Sequence, residues 1–361
     1  MRILFAGGGT GGHLYPGIAV ADELVRRDPS TVVSFVGTHR GLESRAVPAR
    51  GLPLDLIRSA GLKGKSLGAL ARGLVLLPLS ALDAWRVLSS RRPDVVVGVG
   101  GYSSGPVLLL AALRRIPTLL MEQNTAPGFT NRQLAPFVRA AALSYDETLR
   151  YFPGKGVVTG NPVRQEFLPA LETADDVAPD GGGEVRVLIM GGSQGARAIN
   201  DAMIVAAPLL AGRGLAVTHQ TGERDLTRVR QGYAAASVAA NVAAFFDDLH
   251  SQMRAADIVV ARAGASTLAE LTVLGRASVL VPLPTSADDH QRKNARVLAA
   301  AGAAEVIEEA ELKGGRLAET LIALAADPLR RRSMAGRARG LGRPDAAARV
   351  ADCIIALAGG H

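Results

Sequence analysis

Three glycine-rich turns could bind phosphate groups or sugars. They are residues 7–13 (GGGTGGH), 98–106 (GVGGYSSGP) and 191–196 (GGSQGA), and each follows a short apolar run. A strand, a glycine turn and a helix start form a phosphate site, because backbone N–H groups and the positive end of the helix dipole point at one place. The first and third turns begin the two halves of the chain. This arrangement suggests an enzyme that holds one phosphorylated ligand in each half and reacts them together.

His13 closes the first turn, where a helix is predicted to begin. The positive end of a helix disfavours a charged imidazole, so the neutral ring would be available as a general base. A histidine that only hydrogen-bonds the loop fits the same position. Both interpretations stay open from the sequence.

Polar side chains follow further predicted strands of the first half. Glu122, Gln123 and Asn124 end one apolar run, and Tyr102, Ser103 and Ser104 lie in the turn after another. The carboxyl ends of parallel strands meet at the edge where such sheets bind ligands. We therefore expect these side chains to converge there.

The second half carries groups suited to a nucleoside and a sugar. Glu270 lies in the segment 262–270 (RAGASTLAE), where its carboxylate could accept both hydroxyls of a ribose, although a salt-bridged glutamate fits as well. His290 and Gln291 begin another helical segment, and imidazole and amide groups bind neutral hydroxyls without charge. The aspartate pairs 247–248 and 288–289 lack a His/Cys cluster or a calcium-loop spacing, so helix capping explains them better and no metal site is expected.

The first turn also matches the dinucleotide pattern G-x-G-x-x-G, which makes an NAD-binding domain the obvious rival. That pattern requires a carboxylate at the end of the second strand, to bind the ribose. Here the second strand ends in Phe35-Val36-Gly37-Thr38-His39, without one. A dehydrogenase is therefore disfavoured, and no cofactor is expected.

Apolar runs alternate with helical patterns in both halves, which predicts two α/β domains with parallel sheets. Predicted strands are 2–6, 31–36, 52–57, 94–97, 118–121, 140–143, 185–190, 216–219, 242–245, 258–261, 278–281 and 304–307; predicted helices include 18–26, 67–90, 198–210 and 345–357. Residues 168–184 are acidic and rich in proline and glycine, as in a surface loop. The predicted fold class is α/β, with two doubly wound Rossmann-like domains facing across a cleft. Their expected bounds are 1–163 and 164–343, with a final helix, 344–358, that crosses back to the first domain.

The amino-acid composition excludes some classes of protein and narrows the kinds of partner to expect. The 361 residues are 48% hydrophobic, which excludes global disorder, and the single cysteine, Cys353, cannot form an internal disulfide. No signal peptide or bilayer-spanning segment is apparent. The net charge is +8, but aromatic residues make up only 4% and no RNA-binding signature is present. A phosphate-bearing substrate or an anionic membrane explains the charge at least as well as a nucleic acid does.

One segment could attach the protein to a membrane surface. From Leu62 to Arg92 an apolar piece, 73–79, is followed by Leu82 and Trp85 and flanked by lysines and arginines. The piece is too short to span a bilayer, but it could insert beside anionic lipids. A buried domain helix with basic ends is the alternative.

The ordered set of motifs resembles the MurG family over nearly the whole chain. The matching segments are GGGTGGH, GVGGYSSGP, EQN, GNPVR, GGSQGAR, FFDD, RAGASTLAE and DDHQRKNA. The resemblance implies a GT-B fold and a metal-independent, inverting transfer of N-acetylglucosamine from UDP-GlcNAc. The implied acceptor is the C4 hydroxyl of undecaprenyl-pyrophosphoryl-MurNAc-pentapeptide (lipid I), and the product is lipid II for peptidoglycan.

The resemblance also implies roles for individual residues. His13 and Glu122 would be catalytic, with Gly9, Tyr102, Ser103 and Ser104 on the acceptor side. Phe246 would present its backbone to uracil, Glu270 would hold the ribose, and His290 and Gln291 would contact the GlcNAc hydroxyls, although some relatives carry glutamine at the position of His290. The full set implied for the donor is Thr10, Gly11, Gly12, Asn124, Arg164, Ser193, Phe246, Glu270, His290, Gln291 and Asn294.

Such an enzyme would lie peripherally on the cytoplasmic side of the plasma membrane. Its expected partners are UDP-GlcNAc, lipid I and an anionic membrane surface met by the segment from Leu62 to Arg92, with no nucleic acid. A cell-wall synthesis complex is a further expected partner. Two alternatives stay open: a related glycosyltransferase acting on diacylglycerol, and a nucleotide-sugar-binding or membrane-surface protein without activity.

Overall fold

The computed structural model describes residues 1–59, 67–168, 183–191 and 195–360, without the side chains of 67–77 and 313–314. The chain divides into two compact units. Unit 1 comprises Met1–Gln165 and Arg343–His361, and unit 2 comprises Glu166–Gly342. Within the described residues each unit contains one parallel sheet. The predicted pair of doubly wound Rossmann-like domains is therefore confirmed.

Unit 1 holds a seven-stranded sheet, counted over the described residues, in the order β3-β2-β1-β4-β5-β6-β7. Its strands are β1 (Arg2–Gly7), β2 (Val32–Gly37), β3 (Leu54–Leu56), β4 (Val95–Gly100), β5 (Thr118–Glu122), β6 (Ala140–Leu143) and β7 (Gly156–Val158). Its helices are α1 (Gly11–Arg27), α2 (Glu43–Ala46), α3 (Leu67–Arg91), α4 (Ser104–Leu113), α5 (Phe129–Leu134) and, at the end of the chain, α13 (Ala346–Gly359).

Helices cover both faces of this sheet, which is why its central strands are almost continuously apolar. The residues of β4 are all buried, and Phe5 of β1 stacks on Phe35 of β2 with ring centroids 5.1 Å apart. The last helix, α13, returns to unit 1 and packs on α1. Val350 and Ile354 enter the core there.

Unit 2 holds a six-stranded sheet, again within the described residues, in the order β10-β9-β8-β11-β12-β13. The strands are β8 (Val185–Met190), β9 (Leu215–Gln220), β10 (Ala240–Ala243), β11 (Ile258–Ala261), β12 (Ala277–Leu280) and β13 (Ala304–Val306). The helices are α6 (Arg197–Leu210), α7 (Leu226–Ala235), α8 (Leu249–Ala255), α9 (Ala265–Leu274), α10 (His290–Ala300), α11 (Arg316–Ala326) and α12 (Pro328–Leu341).

Some boundaries differ from the predictions for physical reasons. The helix predicted from residue 18 begins at Gly11, because two glycines and Pro16 hide the periodic pattern in its first turns. The strand predicted at 242–245 is Ala240–Ala243, since alanine gives little strand signal. The edge strand β7 was not predicted, and its three residues are too few to show a period.

In the part of the chain that the structure describes, every helix is too short or too polar to span a bilayer.

Candidate functional site

The strand order of unit 1 reverses between β1 and β4, which is where open α/β sheets bind ligands. The first two glycine turns meet at this point. The N–H of Gly8 donates to the carbonyl of Gly100 over 3.1 Å. Gly7, Gly8 and Gly9 all have positive φ (127°, 137° and 87°), a backbone conformation that residues other than glycine rarely adopt. The sheet thus brings together two turns that lie about 90 residues apart in the chain.

His13 lies in the first turn of α1 and faces the second glycine turn. Its Nδ1 is 3.1 Å from Oε1 of Gln123, and Nε2 of Gln123 donates to the carbonyl of Val99 over 3.0 Å. A Cβ added to Gly100 would lie 2.6 Å from Nδ1 of His13. The ring is therefore fixed between a buried amide and the bare backbone of Gly100.

Glu43, which the sequence analysis did not single out, shapes the first glycine turn. Its side chain is fully buried in α2, where Oε2 accepts the N–H of Gly9 (2.7 Å) and Oε1 accepts the N–H of Thr38 (2.9 Å). A Cβ on Gly8 would come within 2.5 Å of Oε2. The Glu43 carboxylate thus binds the backbone of this turn and occupies the space that a side chain at position 8 would need. Glu43 lies more than 30 positions from the turn in the sequence.

Glu122 ends β5 and is also buried. Its Oε1 accepts both the backbone N–H and the side-chain Nδ2 of Asn124 (3.0 and 3.1 Å). Its Oε2 accepts the N–H of Gly128 (3.1 Å) and Nδ2 of Asn131 (2.8 Å). Four donors thus surround the carboxylate, and they fix the loop that carries Asn124.

The second glycine turn exposes Tyr102 and buries the two serines after it. The Ser104 hydroxyl donates to the carbonyl of Gly101 over 2.8 Å, within the turn itself. Arg164 lies over the ring of Tyr15, with its guanidinium carbon 4.7 Å from the ring centroid. Tyr15 belongs to α1, so Arg164 packs against the N-terminal half of that helix. Thr10, Gly11 and Gly12 lie at the start of the same helix.

In unit 2 the strand order reverses between β8 and β11, where the third glycine turn begins. Ser193 lies outside the described residues. Gly195 has φ of +71°, and a Cβ there would lie 2.5 Å from the carbonyl oxygen of Thr221. Gly195 therefore sits directly against Thr221, the residue that follows β9.

A buried polar network holds that end of β9. His219 Nε2 is 3.0 Å from Oδ1 of Asn200, and Nδ1 is 3.0 Å from the Tyr233 hydroxyl. Nδ2 of Asn200 donates to the carbonyl of Thr221 and to Asp225. Burial lowers the pKa of His219 to about 3, with partial opposition from Asp225, and burial raises the pKa of Tyr233. The ring is therefore neutral: Nε2–H donates to Asn200, and Nδ1 accepts from Tyr233.

Phe246, the residue expected to meet uracil, has its backbone N–H bonded to Oε1 of Gln220 over 3.1 Å. Gln220 is the last residue of β9 and is buried. Its amide thus fixes the start of the loop after β10. The rule that polar residues at strand ends form sites could have found Gln220.

Glu270 and Asn294 are both buried, on α9 and α10. Arg262, at the end of β11, donates to the carbonyls of Val281 and Pro282 (3.2 and 3.3 Å) and pairs with Glu309 (2.5 Å). These contacts hold the loop after β12 beside the start of α9.

At the start of α10, hydrogen bonds fix which side-chain atoms of His290 and Gln291 remain available to a ligand. His290 Nδ1 lies 2.6 Å from the carbonyl of Ala287, so this nitrogen carries a proton, and in the neutral ring Nε2 offers a lone pair. Oε1 of Gln291 accepts the N–H of Leu283 over 3.0 Å, so the amide presents its Nε2 donors. The two side chains therefore offer one acceptor and one donor, which suits hydroxyls on a sugar. Asp288 and Asp289 just before them both have positive φ (52° and 58°), a strained pair often found at functional sites.

No group of three or more His, Cys, Asp or Glu side chains that could hold a metal ion occurs among the described residues.

Comparison with known proteins gives two family matches. Residues 3–143 match the glycosyltransferase family 28 N-terminal domain, and residues 186–350 match the glycosyltransferase family 28 C-terminal domain. Relatives that match nearly the whole chain carry the description UDP-N-acetylglucosamine–N-acetylmuramyl-(pentapeptide) pyrophosphoryl-undecaprenol N-acetylglucosamine transferase. That of Myxococcus xanthus is 48% identical and that of Anaeromyxobacter sp. (strain Fw109-5) is 50% identical, each over 99% of this chain and 93% of the relative.

Solved structures agree with the sequence matches. MurG of Acinetobacter baumannii superposes with a TM-score of 0.80 at 30% identity, over 98% of this chain and 99% of that one. The glycotransferase of kitacinnamycin superposes with a TM-score of 0.70 at 18% identity, over 99% of this chain and 98% of that one, which shows a shared fold alone.

Proposed function

Because this chain belongs to glycosyltransferase family 28, and within it to the MurG family, we infer that it transfers N-acetylglucosamine from UDP-GlcNAc to lipid I and so forms lipid II. The predicted GT-B fold agrees with this family and with the glycosyltransferase structures that superpose on the chain. The observation that carries it is the near-complete match to relatives that bear this activity in their names, at up to 50% identity. A diacylglycerol acceptor is not favoured, since those names specify the undecaprenol-linked sugar.

The division of labour between the units is part of the proposal. Unit 2 would bind the donor, with the third glycine turn and the start of α6 at the diphosphate, Phe246 at uracil and Glu270 at the ribose. His290 Nε2 would accept a hydrogen bond from one GlcNAc hydroxyl, and Gln291 Nε2 would donate to another. Unit 1 would bind the acceptor through Gly9 and the exposed side chain of Tyr102.

The transfer itself would be a single displacement. As the acceptor C4 oxygen bonds to C1 of GlcNAc, its proton passes to Nε2 of His13, and the bond from C1 to the diphosphate breaks. The electron pair stays on UDP, whose developing charge is stabilised by helix N-termini and backbone N–H groups. Attack from the face opposite the leaving group inverts the configuration at C1. We expect this reaction to proceed without a metal.

Several residues implied by the resemblance are better explained as positioning residues. Glu122 accepts four hydrogen bonds, so we assign it to holding the Asn124 loop rather than to accepting a proton. Ser103 and Ser104 are buried and would shape their turn. Arg164 would add positive charge near the start of α1.

Attachment to an anionic membrane is a further part of the proposal. On α3, Leu79, Leu82 and Trp85 are exposed, and on α4 so are Leu109 and Leu113. Arg114, which follows α4, lies 4.6 Å over the Trp85 ring, so the two exposed surfaces meet. Apolar side chains beside arginines suit reversible insertion into an anionic interface. Residues 62–66 of the predicted segment, and the side chains of 67–77, lie outside the described part.

The donor inferred for this chain is a nucleotide-activated sugar, so we place the enzyme on the cytoplasmic face of the membrane. A peripheral position on that face, and partners in a cell-wall synthesis complex, complete the proposal.

The decisive test is transfer of radiolabel from UDP-[14C]GlcNAc to a lipid I analogue, in the presence and absence of EDTA. Labelled disaccharide lipid is expected in both samples. In the His13→Ala variant kcat should fall by about 10²- to 10⁴-fold with little change in the KM for UDP-GlcNAc. His250→Ala, which removes a histidine of α8, is the matched control and should keep its kcat. Full activity of His13→Ala would remove the histidine from the chemistry, and no product from the unmodified protein would refute the function.

A further inference from the structure

Gln123 is the middle residue of the polar segment 122–124 and directly follows β5. It is only 2% exposed, so its amide cannot contact a substrate directly. Both ends of that amide are engaged, one by the carbonyl of Val99 and one by the ring of His13. It therefore acts on the site through His13.

The partners of the amide fix its orientation. A backbone carbonyl only accepts hydrogen bonds, so the end of Gln123 that faces Val99 at 3.0 Å must be the NH₂ group. The end that faces His13 at 3.1 Å is then the oxygen, which also only accepts. Nδ1 of His13 must therefore carry the proton. In the neutral ring the lone pair then lies on Nε2.

The backbone holds the same edge of the ring in place. Gly100 has φ of +103°, and the space where its side chain would lie is filled by His13, with Nδ1 closest. The Nδ1 edge of the ring is thus enclosed by Gln123 and Gly100. Nε2, on the opposite edge, is the nitrogen that can reach a bound hydroxyl.

We propose that Gln123 is a positioning residue that sets the tautomer of His13, so that the basic nitrogen is Nε2. This inference rests on the proposed role of His13 as general base. Without an acceptor at Nδ1, a neutral imidazole divides between its two tautomers and can rotate. The fraction of enzyme with a correctly placed lone pair then falls, while donor binding in unit 2 is unaffected.

Nitrogen-15 NMR of protein labelled on histidine tests the tautomer without reference to activity. Spectra are recorded at alkaline pH, where the ring is neutral, and the His13 signals are assigned by their loss in His13→Ala. We expect a pyrrole-type shift at Nδ1 and a pyridine-type shift at Nε2 in the unmodified protein. The opposite pattern there would overturn the proposal whatever the variants do.

Two variants then separate the hydrogen bond from the packing. Gln123→Met keeps the length of the side chain but removes the acceptor, so the Nδ1–H pattern should be lost. In the same variant kcat should fall at least about tenfold, with an unchanged KM for UDP-GlcNAc. Gln123→Glu keeps an acceptor for Nδ1–H and should retain the wild-type tautomer. Gln133→Met, on the exposed side of α5, is the matched control and should change neither readout.

The outcomes distinguish this inference from the function on which it rests. If His13→Ala keeps its kcat, the general-base assignment fails even if the tautomer is as predicted. If His13→Ala is inactive while Gln123→Met keeps both the wild-type tautomer and the wild-type kcat, the role of Gln123 fails and the general base stands.

Discussion

The buried His219 should make the stability of unit 2 depend on pH. Its pKa is about 3 in the folded protein, because burial disfavours the charged ring, against 6.5 for an ordinary histidine. Between these values the unfolded chain binds a proton that the folded one does not. Stability is therefore complete above about pH 6.5 and declines as the pH falls toward 3.

The loss in the free energy of unfolding grows with the difference between the unfolded-state pKa of His219 and the pH of the solution. At pH 5 the solution is about 1.5 units below 6.5, and each unit corresponds to about 1.4 kcal/mol, so His219 alone should cost about 2 kcal/mol relative to pH 7.5. In His219→Gln this contribution disappears. A glutamine can still donate to Asn200, so the variant should fold and lose less stability on acidification than the unmodified protein.

The measurement is urea unfolding at pH 7.5 and pH 5, read by pulsed hydrogen exchange and mass spectrometry of peptides from β9 and α7. These peptides report on unit 2 separately from unit 1, and the comparison of the two proteins cancels all other titrating groups. Equal losses in both proteins would refute the argument. So would a His219 ring whose carbon-13 NMR shift titrates near pH 6.5 in the folded state.

Three further predictions concern the site and its surroundings. Glu270→Ala and the isosteric Glu270→Gln should raise the KM for UDP-GlcNAc about 10- to 100-fold, because the ribose hydroxyls lose a charged acceptor. The effect on kcat should be smaller. An unchanged KM would place the ribose elsewhere. Gly100→Ala should lower kcat by displacing His13 while the KM for UDP-GlcNAc stays the same, and wild-type kcat would mean that the ring is not held by this turn. Trp85→Glu should weaken sedimentation with anionic liposomes by about tenfold, and high salt should abolish the binding. Leu329→Glu, at a leucine of unit 2 that is 70% exposed, is its control; equal binding by both variants would put the docking surface elsewhere.

The sequence by itself determined the fold class and the outline of the site. Apolar runs such as that of β4 predict buried strands, because a parallel sheet covered on both faces needs continuous hydrophobicity. Glycine turns after strands mark phosphate sites, since that combination presents unpaired N–H groups. The order of the motifs identified the family. These signals lie in short segments and in the order of those segments along the chain, which is why one sequence was enough to find them.

The tertiary structure decided which side chains support the predicted ones. Nothing near Glu43 in the sequence connects it to Gly9, and the link appears only when α2 folds against the first glycine turn. Gln123 stood within a recognised motif, but its partner His13 is 110 residues away and its orientation depends on the carbonyl of Val99. Glu122 is predicted to be catalytic from the resemblance, and its four donors, which only the structure places, support the positioning role proposed for it. Hydrogen-bond partners brought together by strand pairing leave no periodic or compositional trace, so such contacts are decided in space rather than along the chain.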